Sequence, residues 1–98
     1  MAFSNAASAP KVDVSYSSYY DERNRFFVDE NGIGVIDQRR QITVESWERR
    51  GLTQAAAESH VDTLNFDNTV SAEARLVAPG VWDVFATKRT VGAWEDVV

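Results

Sequence analysis

The side chains able to do chemistry in this chain are few, and their spacing limits what they can do. His60 is the only histidine and there is no cysteine, so the usual zinc ligand sets cannot be assembled. With no second base near it in sequence, His60 reads as a core-edge or surface residue. Asp29-Glu30 and Glu95-Asp96 are adjacent carboxylates, but neighbours on an extended chain point to opposite faces and cannot share a proton. They read as solubilising charges. Asp29-Glu-Asn-Gly32 offers oxygen ligands and a glycine, yet lacks the alternating ligands and closing glutamate of a calcium loop. Gly32-Ile-Gly34 has neither the third glycine nor the following helix and lysine of a phosphate cradle. No catalytic, cofactor-binding or metal residue is therefore expected, and no enzyme activity.

The elements that would position these residues follow from periodicity. Residues 1–10 are small and polar around the isolated Phe3. They cannot bury enough surface to order themselves, which suggests an extended arm anchored at Phe3, either on its own domain or on a neighbour. From Lys11 to Ser17, Val12, Val14 and Tyr16 alternate with Asp13, Ser15 and Ser17, the pattern of a half-buried edge strand. Tyr16, Tyr19 and Tyr20 crowd its end. The stretch from Arg25 to Asp37 carries Asn31-Gly32 between beta-forming residues, which predicts a hairpin with a type I′ turn at those two residues. Such a turn would set Val28 opposite Val35 and Phe26 opposite Asp37, with Phe27 and Ile36 on the other face.

Arg39-Arg40 punctuate the chain, and a strand is expected from Gln41 to Arg50, with Ile42 and Val44 on one face and Thr43, Glu45 and Trp47 on the other. A helix is expected from Thr53 to Leu64. Thr53 is a good N-cap, Leu52 can form a hydrophobic staple with Ala57, and Ala55 to Ala57 favour helix. Its stripe of Ala57, Val61 and Leu64 must face a sheet. Asn65, Asp67 and Asn68 suit a left-handed exit. Two more strands then flank Ala78-Pro79-Gly80, where a longer or bulged loop is expected, and an apolar C-terminal stretch containing Trp94 and Val97 suggests a terminus that is tied down. The resulting fold class is α+β: an arm at 1–10, then one domain at 11–98 with an antiparallel sheet of about four to six strands and one short helix on one face.

Ninety-eight residues suit one core, and without cysteine its stability must come from packing, within the chain or against other chains. The formal charge of −5 argues against a phosphate-backbone partner. No apolar run approaches the roughly 18 residues of a membrane span, and the first ten residues lack the pattern of a signal peptide. A soluble protein made in the cytoplasm is expected. The 11% aromatic content includes Trp47, Trp82 and Trp94, and tryptophan and arginine are typical contact hot spots. The candidate interface residues are Phe3, Phe27, Ile36, Trp47, Arg49, Arg50, Trp82 and Trp94.

The segment Trp47-Glu-Arg-Arg-Gly-Leu-Thr-Gln-Ala-Ala-Ala57, with Gly80-Val-Trp-Asp-Val84 and Lys88-Arg-Thr-Val-Gly-Ala-Trp94, resembles in layout the small structural proteins of tailed bacteriophages. That resemblance covers roughly half of the chain and transfers no site residues. It implies a non-enzymatic subunit in a virion's tail, neck or capsid, meeting copies of itself or a larger virion protein, with neither nucleic acid nor membrane as partner. The alternative is a small acidic inhibitor or regulator that binds a host protein, although arginines interrupt its acids.

Overall fold

Between Pro10 and Gly32, and again between Gly34 and Gly51, the sequence contains no glycine or proline, and each stretch forms a single long strand. β1 spans Val12–Asp29 and β2 spans Gly32–Leu52 in this computed structural model, which describes residues 9–97. The Arg39-Arg40 pair expected to punctuate the chain instead faces the charged residues of the neighbouring strand. Asp21, Glu22 and Arg23 lie opposite Arg40, Arg39 and Gln38, and Arg40 pairs with Asp21 at 2.9 Å. Opposed charges of this kind stabilise a ladder, so Arg39-Arg40 continue the strand they were expected to end.

The hairpin turn occupies Glu30-Asn31, one residue earlier than the Asn-Gly pair suggests, with Asp29 opposite Gly32. Gly32 takes the positive φ of 126°, whereas Asn31 does not, so the turn is not type I′. Asp29 Oδ1 accepts a hydrogen bond from the Asn31 N–H at 2.9 Å, which stabilises this tighter reversal. Val28 therefore faces Ile33, and Phe26 faces Val35. The expected partners were Val35 and Asp37. A shift of two residues leaves every side chain on its expected face.

The helix α1, Gln54–Asn65, begins as its sequence suggests: the Thr53 side chain accepts from the Ala56 N–H at 3.1 Å. Leu52 and Ala57 are both buried, as a staple requires. Its exit differs from expectation, because Phe66 caps it in a right-handed conformation. Two side chains stabilise that exit. Asn65 Nδ2 donates to the Ala72 carbonyl at 3.3 Å while its Oδ1 accepts from the Ala72 N–H at 3.0 Å, and Asp67 Oδ1 accepts from the Thr69 N–H at 2.9 Å.

β3, Val70–Ala78, and β4, Val81–Val91, are joined by the two residues Pro79-Gly80, with Gly80 at a φ of 74°. The expected irregularity lies in the strand, between Leu76 and Ala78, and lets a two-residue connection close. β5, Glu95–Asp96, pairs with β2. All strand pairs are antiparallel, in the order β1-β2-β4-β3, so β1 and β3 are the sheet edges. The fold is α+β, with α1 packed on β3 and β4. Leu52, Ala57, Val84 and Ala9 form the core, flanked by Val61, Leu64, Ala74 and Trp82. The stripe Ala57, Val61 and Leu64 thus faces the sheet.

This core occupies only one end of a long molecule. β4 pairs with β2 from Ile42 to Leu52, and beyond Gln41 the β1–β2 ribbon continues with, among the described residues, only β5 beside it, at Gln38 and Arg39. Ten residues of strand project roughly 34 Å. The chain measures 73 × 21 × 21 Å, with a radius of gyration of 20.3 Å, against about 13 Å for a compact domain of this length.

Candidate interface surfaces

Three regions gather functional potential: the projecting ribbon, the polar cleft beside α1, and the sheet face that α1 leaves open. Directly opposed residues of an antiparallel pair share a face, so Phe26, Val28, Ile33 and Val35 form one apolar group near the hairpin tip. They are 69%, 80%, 74% and 53% exposed, respectively. On the reverse face, Phe27 lies opposite Gly34 and Ile36 opposite Arg25. The Phe27 ring covers the space a side chain at Gly34 would need. A two-stranded ribbon is at best marginally stable alone in water, and this one is apolar on both sides.

The root of the ribbon is fastened by the C-terminal segment. Trp94 is flanked by Arg23 at 4.0 Å and Arg40 at 4.5 Å from its ring centre. Gln38, which is buried, accepts from Arg23 and donates to Asp96 at 2.7 Å. The Gly92 and Val97 N–H groups each donate to β2 carbonyls at 2.8 Å. Trp94 therefore serves as an internal clamp in this chain.

Beside α1 lies a cleft of about 350 Å³, lined by Trp47, Arg49, Thr63, Leu64, Asp67 and Lys88 among others. Trp47 is only 5% exposed, with Lys11 stacked on its ring at 4.3 Å. Trp47 Nε1, Arg49 Nε and His60 Nε2 are buried without a hydrogen-bond partner among the described residues. Arg49 donates through Nη1 to the Ala9 carbonyl. Burial, followed by the nearby Arg49 charge, holds the His60 imidazole below its ordinary pKa. Asp67 is held below the usual carboxylate range, chiefly by the hydrogen bond from the Thr69 hydroxyl.

The open face of the sheet forms a depression of about 580 Å³ whose lining includes Ser15, Ser46, Ser71, Thr87, Glu73 and Arg75. The Ser46 and Thr87 hydroxyls bond to each other at 3.2 Å, and Arg75 stacks on Phe85 at 4.3 Å while pairing with Glu73. Among the described residues, no group of three His, Asp or Glu side chains could hold a metal ion. No helix among the described residues is long and apolar enough to cross a membrane.

Of the residues singled out in the sequence, Phe3 lies outside the described residues. Phe27 and Ile36 share a face of the ribbon. Trp47 and Arg49 line the cleft beside α1, and Trp82 packs against the core. Arg50, near the end of β2, is exposed and pairs with Asp13 at the start of β1 and, at 2.8 Å, with Glu48. Trp94 clamps the ribbon root. The structure thus brings together only Phe27 and Ile36 on the ribbon, and Trp47 and Arg49 beside the helix. The most exposed apolar group, Phe26, Val28, Ile33 and Val35, is absent from that set. Its signal was the alternating pattern on both sides of the Asn-Gly pair, which fixes the shared face but not the lack of a covering element.

The chain matches no family model, no curated protein and no solved structure.

Proposed function

We propose that this chain is a non-enzymatic structural subunit of a phage virion, in its tail, neck or capsid, acting through protein–protein interfaces in a multi-copy assembly. The observation that carries this reading is the ribbon of residues 24–37. It projects from the domain with Phe26, Val28, Ile33 and Val35 exposed and, among the described residues, with no third strand beside its outer six pairs. Burying such side chains is worth about 1.5–3 kcal/mol each, a gain the isolated chain leaves unused and a neighbour can collect. The acids do not form one continuous face, because Asp21, Glu45, Glu48, Glu73, Glu95 and Asp67 each pair with a cation. That favours a structural subunit over an acidic inhibitor.

Mass spectrometry of purified particles, together with the soluble fraction of infected cells, tests the proposal. The chain is expected in the particles at a fixed ratio to other structural proteins. Its recovery only from the soluble fraction, bound to a host protein, would overturn the reading.

A further inference from the structure

The outer edge of β1 is the longest open feature of the molecule. β1 is an edge strand of 18 residues, and a long unpaired edge is a template for another strand. The opposite edge, β3, is partly occupied by the Asn65 amide, which bonds both backbone groups of Ala72. The β1 edge carries no such plug among the described residues.

The sequence of that edge is nearly self-complementary. Tyr19-Tyr-Asp-Glu-Arg23-Asn-Arg-Phe-Phe27 reads, outward from Arg23, as Glu22 on one side and Asn24 on the other, then in either direction a charged residue and two aromatic rings. The charges at the second position are opposite in sign: Asp21 on one side and Arg25 on the other. Antiparallel pairing of two copies about Arg23 would set Tyr19 opposite Phe27, Tyr20 opposite Phe26, Asp21 opposite Arg25 and Glu22 opposite Asn24, each twice. We infer that the partner of this surface is a second copy of the chain, joined edge to edge along β1 in this register, around a two-fold axis through Arg23.

Four observations support that register. Tyr19, Tyr20, Phe26 and Phe27 are all substantially exposed in the single chain, and aromatic cross-strand pairs are among the favourable ones. Arg25 has no ion-pair partner among the described residues, and the register supplies the Asp21 carboxylate of the second copy. At the one like-charge juxtaposition, Arg23 with itself, each guanidinium is held by its own chain, bonded to Gln38 at 3.0–3.1 Å and stacked on Trp94. Pairs related by this axis keep the same residue parity, so both copies present α1 on the same side of a continuous sheet. Val28 would then lie opposite Ser18, and each apolar tip would rest against the body of its partner, whose Tyr16 and Tyr20 are exposed on the same face as Phe26 and Val28. The arrangement is isologous, the commonest symmetry of oligomers. It deepens the multi-copy reading by naming the partner, but does not depend on a virion.

The absence of cysteine allows a register-specific test on the full-length purified chain. Opposed residues of an antiparallel pair have Cα atoms roughly 4.5–5.5 Å apart, within disulfide range. Residues displaced by four positions are about 13 Å further along the strand and are not. Chains carrying Asp21→Cys and Arg25→Cys are oxidised separately and as a mixture, with circular dichroism confirming that each folds. The expected result is a disulfide-linked dimer from the mixture and little from either chain alone. Sedimentation equilibrium should give a dimer for the unmodified chain, weakened roughly tenfold or more by Arg25→Asp, which sets like charges opposite each other. A monomeric unmodified chain overturns the inference. So does a dimer whose mixed variants do not cross-link, or cross-links that form equally well in either variant alone. Recovery of the chain from particles is a separate observation, so the failure of one proposal is distinguishable from the failure of the other.

Discussion

Replacing Val28 and Ile33 together by glutamate separates the role of the hairpin tip from the stability of the domain. The two face each other across the ribbon and are 80% and 74% exposed. In the isolated chain little burial is lost, and exposed substitutions of this kind ordinarily change stability by less than about 0.5 kcal/mol. In an assembly the same two side chains would become buried. At about 2 kcal/mol for each full burial, their exposed fractions correspond to about 3 kcal/mol, or roughly a hundredfold in affinity. Denaturant unfolding should therefore leave the midpoint of the double variant nearly unchanged, while sedimentation velocity shows association lost at concentrations where the parent chain assembles. Association undiminished by the two charges would refute the reasoning. So would a loss of more than about 2 kcal/mol in the isolated chain, since that would mean the tip is already packed internally.

Four further outcomes follow from the same geometry. Leu52→Ala, which empties a fully buried position between sheet and helix, should cost about 2–5 kcal/mol in denaturant unfolding; Thr53→Ala, which removes the N-cap bond, should cost about 1 kcal/mol. His60 has a lowered pKa in the folded chain, so the unfolded state binds its proton first and stability falls as the pH drops below about 6.5. His60→Gln should flatten that dependence in melts between neutral and mildly acid pH. Trp94→Ala, by removing the ring between Arg23 and Arg40, should speed hydrogen exchange at the Val97 and Gly92 amides while leaving α1 protected.

What the sequence made legible was local. The Thr53 cap, the alanine run and the stripe of Ala57, Val61 and Leu64 define α1 almost to the residue, because each depends on neighbours within one or two turns. The face assignments of β1 and β2 near the tip also hold, since a two-residue change of register preserves them. Strand length was not legible, because Asp21 to Arg25 and Asp37 to Arg40 look like interruptions until their cross-strand partners are known. Nor could periodicity tell which face of the sheet the helix would take, and that decides which side of β2 borders the cleft lined by Trp47 and Arg49. Trp94 was equally opaque: its position depends on the C-terminal segment crossing to the root of a ribbon formed by residues more than fifty positions earlier.

The most direct test of the account is hydrogen–deuterium exchange of residues 24–37, compared between the isolated chain under dissociating conditions and the assembled form recovered from purified particles. A two-stranded ribbon opens readily, so the account predicts fast exchange in the isolated chain and strong protection in the particle. Equal exchange in both states would contradict a structural role for the projecting hairpin.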